Sequence, residues 1–445
     1  MNSRELIVVN GRRPVSGTVE VRGAKNSVLK LMAASVMASG ETRIGNVPFI
    51  SDVDVMSDVL TTIGASVTRE EGSHSLSIDT RGINSYKTPY ELVAKMRASI
   101  SILGPLITRF GRAVVAMPGG CQIGSRKLDM HIASLEALGV QFEIDHGYLH
   151  ASTPNGLIGA EVILDFQSVG ATENLMMASV CARGTTVIHN AACEPEIVDL
   201  ADFLISMGAR IENAGTPDVM VHGVDELHST SHMTVGDRIE AGTFLVAGAA
   251  AGGPITVKGV NPDHLGLALK KLHQMGADLF ITDDEITVER KGDLRPVDIQ
   301  TLPFPGFPTD LQAQFMVLCA LANGNSIITE NLFENRFMFA AELARMGANI
   351  RIDGHHALVN GVSHLSGAPV NSTDLRAGAA LVIAGLVADG ATFVDSIHHI
   401  DRGYEDYVGK LEALGADIER VPAQDLSLER FPGANRVVLS QKRRA

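Results

Sequence analysis

The residues best suited to reactive chemistry lie in one glycine-rich stretch, residues 118–127, with the sequence PGGCQIGSRK. Glycines on both sides of Cys121 allow backbone conformations that other residues avoid, which is typical of a mobile or tightly turned loop. A thiol in such a loop is exposed, and the neighbouring Arg126 and Lys127 favour the reactive thiolate. The stretch therefore predicts a reactive cysteine, with an inert surface cysteine as the alternative.

A second group of side chains is suited to binding anions. Its members follow or begin apolar segments along the whole chain: Lys25, Arg97, Arg126, Arg336, Arg376 and Arg402. Helix N-termini carry partial positive charge and unpaired N–H groups, and arginine grips phosphate or carboxylate with two parallel hydrogen bonds. Any single member can equally be a helix cap or a surface ion pair, and Thr373-Asp374 is better explained as a cap. Together the six predict a pocket for a small anion.

The overall composition limits the partners of that pocket. Formal net charge is −14, which argues against nucleic acid or an acidic membrane as partner. Hydrophobic residues make up 45% and charged residues 20%, as in globular proteins. A chain of 445 residues is too long for one ordinary core, so two or three domains are expected.

Cysteine usage and apolar stretches indicate a cytoplasmic protein without a metal or cofactor. None of the four cysteines forms a C-x-x-C pair, which disfavours zinc and thioredoxin-type sites. Cys181 and Cys319 lie in apolar helical patterns and are expected in the core. The first residues lack the apolar run of a signal peptide, and the longest apolar stretch, residues 377–388, is too short to span a bilayer.

Two recurring patterns predict six similar α/β units. An amphipathic helix that ends in glycine and is followed by a strand occurs six times, and its glycines are 68 to 75 residues apart: Gly64, Gly139, Gly208, Gly276, Gly347 and Gly415. Between these copies, six helices that are apolar all round are expected to be buried. We expect three units in each of two domains, joined near residues 228–236, and the opening strands LIVVNG and TVEV paired with the last unit.

Nine motifs carry a resemblance to one family. GAKN, MRASI, PGGCQIGSR, SVGATEN, RIEAGTF, FPTD, FENRF, TDLRA and HIDRGYE, in this order, resemble the UDP-N-acetylglucosamine 1-carboxyvinyltransferases, over about residues 9–421. The resemblance implies a two-domain inside-out α/β barrel of six repeated units, three per domain, with buried helices. The expected domains are residues 22–234, and residues 1–21 plus 235–445, with the active site in the cleft between them.

The resemblance also implies a reaction. This family transfers the enolpyruvyl group of phosphoenolpyruvate to the 3-hydroxyl of UDP-N-acetylglucosamine through a tetrahedral intermediate and releases phosphate. Cys121 matches the loop cysteine, the general acid that fosfomycin alkylates, and Asp310 matches the base. Lys25, Arg126 and Arg402 match the clamp on phosphoenolpyruvate, and Asn26 matches a contact to the intermediate.

The remaining site residues are expected to contact substrate. Those that match sugar-nucleotide contacts are Arg97, Arg126, Lys127, Leu128, Asp129, Ser168, Val169, Gly170, Asp310 and Leu332, and Arg336 and Arg376 are expected to bind substrate as well. Two positions depart from the family pattern. Arg22 stands where a small residue is usual and Leu332 where another aliphatic is usual, and neither has a chemical role.

Three alternatives stay open at this stage. A shikimate-pathway enolpyruvyl transferase shares the fold and the donor but lacks the PGGCxIG loop. A non-catalytic paralogue that binds sugar nucleotide would not need Lys25, Cys121, Asp310 and Arg402 together. A thiol redox sensor would need a resolving cysteine near Cys121, and none is close in sequence. The sequence does not determine the oligomeric state.

Overall fold

The computed structural model describes residues 5–70, 72–93, 97–117, 124 and 128–423, and for residues 97–99 the main chain alone. Strands and helices alternate along the described chain. The strands are β1 (Glu5–Asn10), β2 (Gly17–Glu20), β3 (Glu41–Gly45), β4 (Ser66–Arg69), β5 (Leu76–Asp79), β6 (Arg112–Ala116), β7 (Gln141–Asp145), β8 (Tyr148–Ser152), β9 (Glu161–Ile163), β10 (Thr185–His189), β11 (Arg210–Glu212), β12 (Asp218–His222), β13 (Ser231–Met233), β14 (Ile255–Lys258), β15 (Asp278–Ile281), β16 (Glu285–Glu289), β17 (Ile299–Gln300), β18 (Asn325–Thr329), β19 (Asn349–Asp353), β20 (His356–Asn360), β21 (Pro369–Asn371), β22 (Ala391–Asp395) and β23 (Asp417–Pro422).

The helices form two sets, apolar ones and amphipathic ones. The α-helices are α1 (Lys25–Ala34), α2 (Ser51–Thr62), α3 (Tyr90–Val93), α4 (Leu103–Phe110), α5 (Asp129–Ala137), α6 (Val169–Ser179), α7 (Pro195–Ser206), α8 (Arg238–Ala251), α9 (Gly266–Gln274), α10 (Gln312–Leu321), α11 (Ala340–Arg345), α12 (Leu375–Val387) and α13 (Tyr407–Ala413). Short 3₁₀ segments lie at Ser35–Met37, Arg97–Ile102, Pro262–Leu265, Thr309–Leu311 and Ile397–Arg402.

Five of the six sheets repeat one four-stranded arrangement. In the sheet of β9 to β12, the edge strand β9 is parallel to β10, β10 is antiparallel to β12, and β12 is antiparallel to β11. The sheets ordered β13-β3-β5-β4, β2-β14-β16-β15, β17-β18-β20-β19 and β21-β22-β1-β23 follow the same plan. The sixth, β6-β8-β7, has three strands. The prediction of six similar α/β units is confirmed.

The opening strands complete two of these sheets. Strand β1 lies between β22 and β23 and is antiparallel to both, so it takes the third position in the last unit. Strand β2 instead pairs in parallel with β14. The expected pairing with the last unit is thus confirmed for the first strand and wrong for the second, which extends the fourth unit.

The glycines that close the amphipathic helices all adopt the left-handed conformation. Their φ angles lie between 93° and 108° at Gly64, Gly139, Gly208, Gly276, Gly347 and Gly415. A residue with a side chain is strained in this region, and glycine is not, which is why helices so often end on it. The recurrence in the sequence therefore records six equivalent helix ends.

The apolar helices are buried, as predicted, and three of them, α6, α8 and α12, carry polar caps at their N-termini. In α8 every residue from Arg238 to Ala250 is buried, and the Asp237 side chain accepts hydrogen bonds from the main-chain N–H groups of Ile239 and Glu240 at 2.8 and 3.0 Å. Asp374 caps α12 in the same way, which confirms that Thr373-Asp374 belongs to a cap. Helices α8, α10 and α12 pack against one another.

Buried apolar side chains form two large clusters. One is drawn from residues 28–227 and the other from residues 7–21 and 239–418. The two segments that pass between the clusters run side by side, because Gly23 forms a β-bridge with Gly236 and Ala24 N–H donates to Val235 O at 2.7 Å. Across the described residues, no helix is long and apolar enough to cross a membrane, and no group of three histidine, cysteine or acidic side chains is placed to hold a metal ion.

Gly223 and Gly361 occupy equivalent positions directly after β12 and β20. A Cβ atom at either position would lie 1.6 Å from a main-chain carbonyl oxygen, that of Ala182 or that of Ala322. We predict that Gly223→Ala and Gly361→Ala each lower the free energy of unfolding by roughly 2 kcal/mol or more, because a backbone carbonyl cannot move aside as a flexible side chain can. Urea denaturation measures the loss.

Gly266 provides the matched control for this prediction. It is the first residue of α9, and a Cβ atom added there would meet nothing within 4 Å. Gly266→Ala should leave the stability unchanged or raise it by a few tenths up to about 1 kcal/mol through helix propensity. Equal losses at all three positions would show that the close carbonyl contacts are not the cause.

Candidate active site

Asp52 holds two basic residues from opposite ends of the chain. It lies in the first turn of α2, and its Oδ2 is 2.8 Å from Nζ of Lys25, the first residue of α1. Arg402, at the end of the 3₁₀ segment Ile397–Arg402, places Nε 2.9 Å from Oδ1 and Nη2 3.3 Å from Oδ2 of the same carboxylate. Asp52 and Lys25 are both buried. One carboxylate therefore brings together two of the three basic residues expected to clamp the donor.

The charges in this group act on one another because water is excluded. Burial lowers the pKa of Lys25, and the nearby cations Arg402 and Arg376 act in the same direction, while Asp52 opposes them. Burial alone would raise the pKa of Asp52, but Lys25 and Arg402 outweigh it, so the net pKa is lowered. The group thus keeps an ionised carboxylate beside cations that gain from an additional anion.

Asp310 is the centre of a second group with the same design. It lies in the 3₁₀ turn Thr309–Leu311 that precedes α10, and its side chain is 25% exposed. Arg336 Nη2 donates to Oδ1 at 2.9 Å, and Arg376 Nη2 donates to Oδ2 at 3.2 Å. Both arginines are buried, so Asp310 is the accessible member of the group.

The two groups adjoin. Gly403, next to Arg402, is so close to Lys25 that an added Cβ would lie 3.0 Å from the Lys25 Cδ atom. The charge of Arg376 contributes to the pKa of Lys25, and the charge of Asp310 acts on buried Arg238. The expected base and the expected cation clamp therefore lie in one region of the molecule.

Glu330 fixes the segment that carries Asp310. This buried carboxylate accepts hydrogen bonds from Thr309 and Thr301 hydroxyls at 2.8 Å each, and from the main-chain N–H of Leu332 at 2.9 Å. It ties the turn before Asp310 to the segment of Leu332. Leu332 is half-buried there, as a substrate contact would be.

Five of the expected sugar-nucleotide contacts lie at two helix N-termini. Ser168 caps α6, where its Oγ accepts from the Ala171 N–H at 3.3 Å, and Val169 and Gly170 form the first turn. Leu128 and Asp129 begin α5; Leu128 is buried and Asp129 exposed.

His131, also in the first turn of α5, connects these two helix starts. Its Nδ1 lies 3.1 Å from Nδ2 of Asn174, and its ring faces Gly170, where an added Cβ would be 3.0 Å away. The two helix N-termini therefore lie side by side.

Asn26 is linked to α6 through a buried ion pair. Lys30, one turn along α1, donates to the carbonyl oxygen of Asn26 at 3.2 Å and lies 2.8 Å from Oε2 of Glu173 in α6. Glu173 is fully buried, and burial raises its pKa to about 6 although Lys30 opposes the shift. Asn26 itself is half-buried at the second position of α1.

Several predicted site residues lie outside the described part of the chain. These are Cys121, Arg126 and Lys127; for Arg97 the main chain alone is described, at the start of the 3₁₀ segment Arg97–Ile102. Gly124, the one described residue of residues 118–127, packs against Glu334, where an added Cβ would lie 2.6 Å from Oε2. Gly124 therefore lies next to the segment that carries Arg336.

Sequence reasoning missed the buried carboxylates. Asp52 reads as an ordinary acidic residue in the first turn of a helix, and Glu330 lies in a segment with no motif of its own. Glu173 lies within the SVGATEN motif, but no role was attached to it. The sequence does contain one indirect indication. A charged residue within an otherwise apolar buried segment, as at Glu173, requires a counter-ion elsewhere in the chain. The partner itself cannot be identified locally, because Asp52 and Arg402 are 350 residues apart.

Loss of Lys30 should destabilise the protein in a pH-dependent way. We predict that Lys30→Met lowers the free energy of unfolding by about 3–5 kcal/mol, because the buried Glu173 loses its counter-ion. A carboxyl whose folded-state pKa is raised loses stability as pH rises from its ordinary value towards the folded one, here from about 4.5 to about 6. Removing Lys30 extends that fall to higher pH, so urea denaturation should show a larger deficit at pH 8 than at pH 5.

The double variant Lys30→Met with Glu173→Gln tests the cause. It removes both charges, and we expect it to recover most of the stability at pH 8. A deficit that is the same at pH 5 and pH 8, or that persists in the double variant, would attribute the loss to packing.

Comparison with known proteins gives the family. A family model described as EPSP synthase (3-phosphoshikimate 1-carboxyvinyltransferase) matches residues 9–411. A protein named UDP-N-acetylglucosamine 1-carboxyvinyltransferase 1 from Staphylococcus aureus is 50% identical over 418 residues, which cover 94% of this chain and 99% of that relative. The protein of the same name from Staphylococcus epidermidis is 49% identical over the same shares.

Solved structures agree with this fold. The enolpyruvyl transferase NikO from Streptomyces tendae superposes with a TM-score of 0.85 at 28% identity, over 95% of this chain and 100% of that one. EPSP synthase from Acinetobacter baumannii superposes with a TM-score of 0.73 at 17% identity, over 94% of this chain and 100% of that one, and shows the fold alone. Because it shares half its residues with relatives matched along nearly their whole length, the chain belongs to the UDP-N-acetylglucosamine 1-carboxyvinyltransferase family, within the broader EPSP synthase family.

Proposed function

We propose that this enzyme transfers the enolpyruvyl group of phosphoenolpyruvate to the 3-hydroxyl of UDP-N-acetylglucosamine and releases phosphate, the first committed step of peptidoglycan precursor synthesis. The observation that carries the proposal is one accessible carboxylate, Asp310, held by two buried arginines beside the Lys25–Asp52–Arg402 group. The 50% identity with curated enzymes of that name supports the acceptor.

In the addition step, Asp310 takes the proton of the sugar 3-hydroxyl while the oxygen of that hydroxyl bonds to C2 of phosphoenolpyruvate. The thiol of Cys121 gives its proton to C3. The C2–C3 double bond becomes a single bond, C3 becomes a methyl group, and C2 is the centre of the tetrahedral intermediate. Two cations within hydrogen-bond distance of Asp310 favour the ionised carboxylate, the form that a base needs. A protonated thiol is needed at this moment, and the anionic substrates oppose the cations that otherwise favour thiolate.

In the elimination step, the bond between C2 and the phosphate oxygen breaks, and C3 gives a proton back to the Cys121 thiolate left by the addition step, which restores the double bond. The proton held by Asp310 passes to the departing phosphate. Phosphate leaves with the bonding electrons, so negative charge grows on its oxygens. Lys25, Arg126 and Arg402 bind phosphoenolpyruvate and stabilise this charge in a site from which water is largely excluded. The pKa of Lys25, lowered by burial and by neighbouring cations, is restored by an incoming anion, so binding and charge compensation are linked.

The remaining assignments belong to the same proposal. Asn26 contacts the intermediate; Arg336 and Arg376 bind substrate; and the sugar nucleotide contacts Arg97, Lys127, Leu128, Asp129, Ser168, Val169, Gly170 and Leu332. We assign residues 22–234 to one domain and residues 1–21 plus 235–445 to the other, in agreement with the two apolar clusters, and place the site in the cleft between them. The enzyme works in the cytoplasm, and fosfomycin inactivates it by alkylating Cys121.

Phosphate release tests the proposed reaction. With phosphoenolpyruvate present, the purified protein should release phosphate on addition of UDP-N-acetylglucosamine and should not do so with shikimate 3-phosphate, the acceptor that the family model's description suggests. Release with shikimate 3-phosphate alone would assign the chain to the other branch of the family. Tight binding of the UDP-sugar without any release would indicate a regulatory paralogue.

Cys121→Asp tests the role of the loop thiol. A carboxylic acid can still donate a proton, but it does not open the fosfomycin epoxide as a thiolate does, so we expect reduced but measurable turnover and resistance to the drug. Cys181→Ala is the matched control, because it removes a half-buried thiol elsewhere and should leave the enzyme sensitive. Continued inactivation of Cys121→Asp by fosfomycin would rule out Cys121 as the target.

A further inference from the structure

Tyr404 lies directly against the arginine that holds the proposed base. It belongs to the HIDRGYE motif but has no role in the reaction as described. The tyrosine is 2% exposed, and the guanidinium carbon of Arg376 lies 5.3 Å from the centre of its ring. This distance is within the range of a cation–π interaction, which is strongest where water is excluded.

The guanidinium of Arg376 has few other contacts to hold it in place. Its Nη2 donates to Asp310 at 3.2 Å, but its buried Nε and Nη1 have no hydrogen-bond partner among the described residues. A buried arginine normally uses several of its five N–H donors, so hydrogen bonds alone leave its orientation under-determined. The ring of Tyr404 supplies the missing contact.

Tyr404 is itself fixed by hydrogen bonds from two core helices. The hydroxyl of Thr243, in α8, donates to the Ile239 carbonyl oxygen at 2.7 Å, so its oxygen is left to accept from the Tyr404 hydroxyl at 2.9 Å. Gln314, in α10, directs Nε2 at Thr243 Oγ1 and at the Tyr404 hydroxyl, at 3.0 and 3.3 Å. Burial raises the pKa of Tyr404, so the phenol is neutral and can donate.

From these contacts we infer that Tyr404 is a positioning residue for the base: its ring, pinned by α8 and α10, fixes the guanidinium of Arg376 and thereby the carboxylate of Asp310. The inference rests on the proposed function, since it concerns the geometry of that base. It assigns the main contact with the cation to the ring, while the hydroxyl holds the ring in place and also interacts with Arg376.

Three substitutions separate the ring from the hydroxyl. Tyr404→Phe keeps the ring, and Thr243 and Gln314 still bond to each other, so kcat should stay within about threefold of the wild type. Tyr404→Leu removes the ring face and should lower kcat about tenfold or more, since a desolvated cation–π contact is worth roughly that factor. The KM for UDP-N-acetylglucosamine should change less than kcat, because most of the proposed sugar-nucleotide contacts lie on other segments. A Tyr404→Leu enzyme with wild-type kcat would overturn the inference.

A fluorinated phenylalanine series at position 404 guards against misfolding of the leucine variant. Fluorine withdraws electron density from the ring face while nearly keeping its shape, so kcat should fall stepwise from phenylalanine to the mono- and trifluorinated residues. A merely structural role would not follow this order, and a flat series would contradict the inference.

Tyr407 is the matched control. It is buried beside Tyr404, with ring centres 4.9 Å apart, and its hydroxyl donates to the Ala379 carbonyl oxygen at 3.2 Å. The same series at position 407 should leave kcat unchanged. A parallel decline at both positions would attribute the effect to core packing.

Crystal structures of the ligand-free variants separate this inference from the proposed function. In Tyr404→Leu, or in the trifluorinated variant, Arg376 should move away from Asp310, whatever reaction the enzyme performs. If the wild type is inactive with UDP-N-acetylglucosamine while Arg376 moves, the proposed function fails and the positioning role stands. An unmoved Arg376 removes the positioning role even if the proposed reaction is confirmed.

Discussion

Charge compensation is the constraint on which the site depends. Asp52 and Asp310 each accept hydrogen bonds from two cations. Four of these six groups come from the start of a helix or the turn before it: Lys25, Asp52, Asp310 and Arg376. Burying an isolated charge is very costly, so each carboxylate needs its cations and each cation needs its carboxylate. A site assembled in this way is rigid before substrate arrives, and its cations remain able to bind further anions.

The repeated unit supplies the places where these charges meet. Each unit buries an apolar helix, and the only polar atoms such a helix must expose are at its ends. Because the six units share one plan, their helix starts recur at equivalent positions, and side chains such as Lys25, Asp310 and Arg376 are delivered from separate units to neighbouring points. Asp237 connects two of these helix starts. Its carboxylate caps α8 and also accepts a hydrogen bond from the Lys25 main-chain N–H at 3.1 Å.

The sequence predicts structure well where a residue type has a single local cause. Gly208 and its five counterparts mark helix ends because a left-handed residue is needed there, so six units could be counted before the structure was known. Lys25, Asp310 and Arg402 could be selected because a resemblance attaches roles to short motifs. Asp52, Glu330 and Tyr404 could not, because their importance lies in contacts with residues far away in the chain. The same holds for β2. The sequence of a short strand does not indicate which sheet it joins, so the pairing of β2 with β14 could not be predicted.

The position of β1 has a consequence for the order in which the protein is made. This strand leaves the ribosome long before both of its neighbours, β22 and β23, which belong to the last of the six units. The apolar cluster of residues 28–227 can form while synthesis continues, whereas β1 cannot complete its sheet until β22 and β23 have emerged. Its four consecutive buried residues, Leu6 to Val9, therefore form a hydrophobic segment of the nascent chain that lacks its partner strands until then. Completion of this sheet is a late event, and a product truncated before β22 would retain an unpaired β1 for chaperones and proteases to detect.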